Sequence, residues 1–108
     1  ADYLLWGDRT DQADVWAAHD PVGMAAALDG KPIYVSWQDG QPGPLDPPEA
    51  TFDDLEAWVA PQNEAFVARS EELGIPVTVE TGQGTHSWPY WQQGLHHALP
   101  ILLEALEE

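Results

Sequence analysis

Apolar residues recur along the chain in a pattern that predicts the order helix, strand, helix, strand, helix. The two strands are expected at Ile33 to Trp37 and at Val77 to Thr81, which are rich in β-branched and aromatic residues. A short helix is predicted before the first strand, because Asp20 can cap it and Asp29-Gly30 ends it. At the N-terminus, Tyr3 to Trp6 indicates a short buried stretch.

The residues between the two strands predict a long loop followed by helix. Residues 38–50 carry four prolines and two glycines, and loops of this length are often functional. A helix is expected to start near Thr51, which can cap it, with the acidic Asp54 three residues later. Pro61 is expected to break or kink this helix, and a second helical stretch then runs to Leu73.

The last helix is expected to begin near Pro89 and to carry one apolar face. Six large residues recur at intervals of 3, 4, 4, 3 and 4 positions, which is the spacing of one helical face. They are Trp88, Trp91, Leu95, Leu99, Leu102 and Leu106. For Trp91 we expect a place in the core, and we expect Pro100 to bend the helix.

A strand, a crossover helix and a second strand imply a parallel pair, so the predicted fold class is α/β. Parallel sheets normally have more than two strands and are covered on both faces. The chain of 108 residues is therefore expected to form part of a larger α/β sheet. It begins at Ala1 without a start Met or a signal peptide, so we expect it to be processed or cut from something longer.

The charge of the chain is strongly negative. Nineteen Asp and Glu residues face three Lys and Arg, for a formal net charge of −16. Such a surface repels nucleic-acid backbones and anionic lipid, so neither is expected as a partner. No apolar run approaches the roughly 20 residues that a membrane helix needs, so no membrane span is expected.

Metals and cofactors are not expected. The chain has no cysteine, and His96 and His97 point about 100° apart on a helix, so zinc is not favoured. The segment from Asp39 to Asp46 lacks the alternating oxygen ligands of a calcium loop.

His86 is the candidate for chemistry. It follows the second strand and a Gly-rich turn, and chemistry in open α/β sheets gathers at the carboxyl ends of strands. A base there needs an orienting carboxylate and a nucleophile, and Asp39, Asp46 and Glu56 are available as carboxylates. The alternative is a structural histidine that hydrogen-bonds within a turn.

The segment GTHSWPYWQQGLHHALPIL, residues 84–102, resembles the end of the mycolyltransferases and the related esterase D-type α/β-hydrolases. In that family the catalytic histidine lies in a Gly-Thr-His-Ser-Trp turn before the last helix. WAAHDP, residues 16–21, is similar to the family's Trp-x-x-Asn-Asp-Pro stretch, and Leu55-Glu56 before NEAF is similar to the segment that bears its catalytic Glu. The resemblance covers most of the chain and is weakest in the loop of residues 38–50.

The resemblance implies that His86 is the general base of a catalytic triad and Glu56 its acid. Asp39 is the runner-up for the acid, because many α/β-hydrolases carry it directly after the preceding strand. Trp88, next to the histidine turn, would line an acyl or sugar pocket, or else belong to the core. The nucleophile is missing, because no Gly-x-Ser-x-Gly elbow occurs and the three serines, Ser36, Ser70 and Ser87, are unsuitably placed.

The expected function is thus the C-terminal part of a serine esterase or acyltransferase, spanning residues 1–108 and inactive alone. The alternative is a noncatalytic binding or interaction module that keeps the hydrolase shape. The expected partners are an ester or acyl-sugar substrate and either the N-terminal half of the same enzyme or a second copy. By the same resemblance, we expect a secreted or cell-envelope protein.

Overall fold

A computed structural model describes residues 3–107, with side chains from Leu5 onward. Its elements, in chain order, are α1 (Tyr3–Trp6), α2 (Ala13–Ala18), a 3-10 helix (Ala25–Leu28), β1 (Tyr34–Gln38), α3 (Asp54–Glu72), β2 (Thr78–Gly82) and α4 (Trp88–Glu107). The short helix expected after Asp20 is therefore a run of turns and one 3-10 helix. A buried stretch is predicted at the N-terminus, and this prediction is wrong at Leu5, which is 73% exposed. The side chains of Tyr3 and Leu4, which belong to the same prediction, lie outside the described part of the structure.

The two strands form a parallel pair, as the sequence predicts. Tyr34 pairs with Thr78 and the register continues to Gln38 and Gly82. Each strand is shifted by one residue from its predicted bounds. The helix α3 connects the two strands, and both α3 and α4 contact β1. The fold is thus α/β, with two parallel strands and flanking helices.

The long connection between the strands ends in one continuous helix, which corrects two expectations. Asp53, rather than Thr51, is the residue that caps α3, since its side chain accepts the backbone N–H groups of Leu55 and Glu56. Pro61 lies inside α3, so the break expected there is wrong, and a kink at Pro61 stays a prediction. An interior proline costs about 3 kcal/mol. The contacts of α3 with β1 and with the 3-10 helix offset that cost.

The helix α4 packs with a face that the sequence analysis did not choose. The residues buried against the sheet are Tyr90, Gly94 and Ala98. A Cβ at Gly94 would lie 3.0 Å from the Ser36 Oγ, so a small residue is needed where helix and strand approach. The six residues of the predicted apolar face are instead exposed, from 38% at Trp91 to 81% at Leu106. The core position expected for Trp91 is therefore wrong.

The apolar surface of the sheet is only partly covered. Among the described residues, the buried hydrophobic ones are Ala25, Ile75, Tyr90 and Ala98. A hollow of about 600 Å³ lies between β1 and α3, where Val35, Val59 and Phe66 line it. No described helix is long and apolar enough to cross a membrane.

Candidate active site

Glu56 and His86 meet where the two connections after the strands come together. Glu56 lies in the first turn of α3, and His86 lies in the short turn that joins β2 to α4. The distance from His86 Nδ1 to Glu56 Oε2 is 2.7 Å. The ionised carboxylate can only accept, so His86 Nδ1 carries the hydrogen and donates it. The carboxyl ends of the two parallel strands thus bring together groups 30 residues apart in sequence.

Glu56 is held in place by its surroundings. The residue is only 4% exposed. Its Oε1 atom accepts the backbone N–H of Gln38, the last residue of β1, at 2.6 Å. Both carboxylate oxygens therefore have partners, which offsets the cost of burying the charge.

His86 presents the other side of its ring to solvent. Its side chain is 36% exposed, and its ring makes an edge contact with Trp91 at 4.9 Å between centroids. Within residues 5–107, no side chain or backbone group hydrogen-bonds to Nε2. With the proton on Nδ1, Nε2 has a free lone pair and can accept a proton from a substrate or a nucleophile. A hollow of about 310 Å³ opens beside the ring, with Trp37 and Asn63 in its lining.

Asp39 lies in the same region but does not contact the imidazole. Its Oδ1 atom accepts backbone N–H groups from Gln41 at 2.8 Å and from Gly84 at 3.3 Å. These bonds tie the loop after β1 to the turn that precedes His86. Of the two candidate acids, only Glu56 is within hydrogen-bond distance of the ring.

Asp46 fixes the long loop against the histidine turn. Its carboxylate accepts three hydrogen bonds, from the Thr85 hydroxyl at 2.5 Å, the Tyr90 hydroxyl at 2.9 Å and the backbone N–H of Gly43 at 2.8 Å. Burial acts to raise the pKa of Asp46, but these hydrogen bonds outweigh it and the pKa is lowered. The sequence indicates Asp46 only as a possible acid and offers no signal for this anchoring role.

Asp53 contacts both halves of the site, which the sequence analysis missed. Its Oδ1 atom caps α3, and its Oδ2 atom accepts the backbone N–H of His86 at 3.0 Å. The backbone N–H groups of Glu56 and His86 lower the pKa of Asp53. A signal was present, because Asp53 stands three residues before Glu56 in the spacing of a capping box.

The aromatic residues near His86 lie at the surface. Trp88 is 71% exposed and its ring makes an edge contact with Trp91 at 4.9 Å. Trp88 is thus not in the core, and its part in substrate binding stays a prediction.

The remaining polar candidates make no hydrogen bond to the imidazole within the described residues. Ser36 lies in β1 and Ser70 in α3, as predicted, and the Ser87 hydroxyl lies 3.1 Å from that of Thr85. None of these serines hydrogen-bonds to His86 in the described part of the chain. His97 pairs with Glu80 at 2.6 Å on the surface. Residues 3–107 contain no cluster of three or more ionisable ligands suited to a metal ion.

Comparison with characterised proteins gives matches to one kind of enzyme. The chain is 33% identical over 107 residues to the diacylglycerol acyltransferase/mycolyltransferase Ag85A of Mycobacterium ulcerans. It is 31% identical over 106 residues to the protein named Ag85C of Mycobacterium avium, and 30% identical over 111 residues to the Ag85C of Mycobacterium leprae. Each match covers 94% of this chain.

The same matches cover 30% or 31% of the relatives, so the chain spans about a third of their length. No protein-family profile and no solved structure matches the chain. The three alignments nevertheless extend over nearly the whole of this chain. The resemblance predicted from residues 84–102 is thereby confirmed: this chain is similar to a part of the diacylglycerol acyltransferase/mycolyltransferases.

Proposed function

We propose that this chain supplies the acid and the base of a serine acyltransferase or ester hydrolase of the mycolyltransferase kind. His86 acts as the general base and Glu56 as the acid that orients it. The nucleophile is a serine outside these residues. The observation that carries the proposal is the 2.7 Å contact between His86 Nδ1 and the buried carboxylate of Glu56.

The geometry supports the following division of labour. Glu56 fixes the ring and stabilises the imidazolium that forms when His86 Nε2 takes a proton from the attacking hydroxyl. The proton then passes to the leaving alcohol. The resulting acyl-enzyme transfers its acyl group to water or to a sugar hydroxyl. His86 takes the proton of that acceptor and passes it to the serine oxygen as the bond between acyl group and serine breaks.

Two features favour Glu56 over Asp39 as the acid. Glu56 directs one oxygen to the imidazole, whereas Asp39 directs Oδ1 to the backbone N–H groups of Gln41 and Gly84. Glu56 is also buried, and Asp39 is exposed. A charge pair shielded from water is stronger than one in contact with it.

The test uses a polypeptide in which this segment is joined to a nucleophile-bearing segment. In that protein, Glu56→Gln is expected to lower kcat for ester cleavage by about 10⁴-fold, the loss typical when the orienting acid of such a triad is removed. His86→Ala is expected to lower kcat at least as far, with KM changed much less.

The matched control is Asp39→Asn, which removes the same charge from a neighbouring loop. It is expected to keep kcat within about tenfold of the unchanged protein, because Asp39 acts only on backbone groups. Full activity in Glu56→Gln together with an inactive Asp39→Asn would transfer the role to Asp39. Full activity in His86→Ala would favour a noncatalytic binding module instead.

A further inference from the structure

The Asp53 carboxylate lies between the two elements that carry the proposed acid and base. On one side, Oδ1 accepts the backbone N–H groups of Leu55 at 3.0 Å and Glu56 at 3.1 Å, and so begins α3. On the other side, Oδ2 accepts the backbone N–H of His86 at 3.0 Å. Each oxygen therefore bonds to a different chain segment. Oδ1 bonds to the start of α3, and Oδ2 bonds to His86, which lies 33 residues after Asp53.

The backbone of Asp53 is itself held by the loop that follows β1. Its backbone N–H donates to Gly40 O at 2.7 Å, and Gly40 N–H donates to Gly84 O at 2.8 Å. A Cβ at Gly40 would lie 2.6 Å from Asp53 O, so the two backbones are packed closely. The position of the carboxylate is thus set by backbone contacts to the connections after both strands.

We propose that Asp53 is a positioning residue that sets the distance between Glu56 and His86 by holding both of their backbones with one carboxylate. The proposal rests on the proposed function of that pair. The dual role requires two acceptor oxygens on one side chain. A carboxylate has them, whereas an amide or a hydroxyl has one acceptor oxygen and at least one donor.

This difference makes Asp53→Asn a sharp test. Asn is as good a helix cap as Asp, so α3 is retained. Its amide NH₂ must then face the backbone N–H of His86, and two donors cannot bond to each other. The contact to His86 is lost while the fold and the helix stay. Asp53→Ser, which also caps with a single oxygen, is a second variant should Asn prove unstable.

The matched control is Asp54→Asn, one residue further along. Asp54 is exposed in the first turn of α3, and its substitution by Asn removes the same charge from the same helix end. The ionisable groups that contact His86 or its turn are Glu56 from α3, Asp53 at the N-cap of α3, and Asp39 and Asp46 from the loop after β1. On α4 the neighbour of the ring is Trp91, which carries no charge.

The first readout is made on this chain by NMR. In Asp53→Asn, amide hydrogen exchange at His86 is expected to be at least roughly tenfold faster than in Asp54→Asn, because its N–H has lost its acceptor. A variant that only weakened the whole fold would change the exchange of all core amides together.

The second readout is kcat of the nucleophile-bearing polypeptide. A displacement of about 1 Å at a catalytic group can cost about 10²-fold, so Asp53→Asn is expected to lower kcat by roughly 10- to 100-fold with KM little changed. Equal amide exchange at His86 and equal kcat in Asp53→Asn and Asp54→Asn would overturn the proposal. Unchanged kcat in Glu56→Gln would instead overturn the function of the pair, so the two failures are distinguishable.

Discussion

Gly84 lies so close to the ring of Tyr90 that a Cβ at position 84 would be 2.5 Å from two ring carbons. Tyr90 is buried, and its hydroxyl donates to Asp46 and accepts the backbone N–H of Leu45. The tyrosine therefore connects α4 to the long loop, and the glycine lets the turn that bears His86 pass over the ring. No residue larger than glycine fits at position 84 without displacing one of them.

Gly84→Ala is accordingly expected to lower the free energy of unfolding by about 1–3 kcal/mol, the usual cost of overpacking. The control is Gly23→Ala, where the new Cβ would meet no atom closer than 3.7 Å and the backbone is not in the left-handed region. That change is expected to leave stability within about 1 kcal/mol. Urea unfolding of both variants measures the difference, and equal losses would contradict the close packing of Gly84.

Acid is expected to destabilise the loop and the cap of α3 together. Asp53 and Asp46 have lowered pKa values in the folded chain. Their ionised forms therefore stabilise the fold above the unfolded pKa of about 3.9, and this contribution is lost as pH falls through the folded pKa values. Urea midpoints measured from pH 6 to pH 2 are expected to fall below about pH 4.

Asp46→Asn provides the check on that assignment. Its urea midpoint should be lower than that of the unchanged chain at pH 6, and the two should converge at the acid end. Parallel curves over the whole range would show that Asp46 does not contribute to the acid sensitivity.

The exposed apolar stripe of α4 is expected to make the chain associate. Large contiguous apolar patches mark association sites. The net charge of −16 opposes pairing of two copies, but salt screens it beyond about 8 Å at physiological ionic strength. Sedimentation at that ionic strength should show a species heavier than 11.9 kDa.

Leu99→Gln with Leu102→Gln, both on the stripe, is expected to shift this species toward the monomer. Leu45→Gln is the control, because Leu45 is 39% exposed but lies in the loop. A sharply melting monomer of the unchanged chain would rule the association out.

The chain by itself is expected to lack esterase activity, because no described serine hydrogen-bonds to His86. The assay is hydrolysis of p-nitrophenyl butyrate by the purified chain. Saturable turnover that disappears in His86→Ala would contradict this prediction.

The sequence predicts the features that follow from the order of helices and strands along the chain. The parallel pair follows from strand, helix and strand, and the proximity of Glu56 to His86 follows from the resemblance. The packing face of α4 could not be predicted from the sequence. The six large apolar residues of the helix form the more conspicuous pattern, whereas the face that packs contains the small residues Gly94 and Ala98. The reason for a small residue at position 94 becomes visible only in the structure, where the Ser36 side chain of β1 lies close to α4.

The continuity of α3 escaped prediction for a related reason. Pro61 is unfavourable within a helix when the segment is considered alone, but the contacts of α3 with β1 are made by residues distant in sequence. Local signals describe what a segment prefers, and the site depends on contacts between segments.

The span of these contacts has a consequence for folding. The hydrogen bond between Tyr90 and Asp46 joins residues 44 positions apart, and the contact between His86 and Glu56 joins residues 30 positions apart. The long loop between such partners must close before their hydrogen bond can form, and closing it costs conformational entropy. Contacts between residues so far apart in sequence therefore form slowly. During synthesis, Glu56 is made 30 residues before His86. The acid and the base can therefore meet only after the chain as far as His86 has been made.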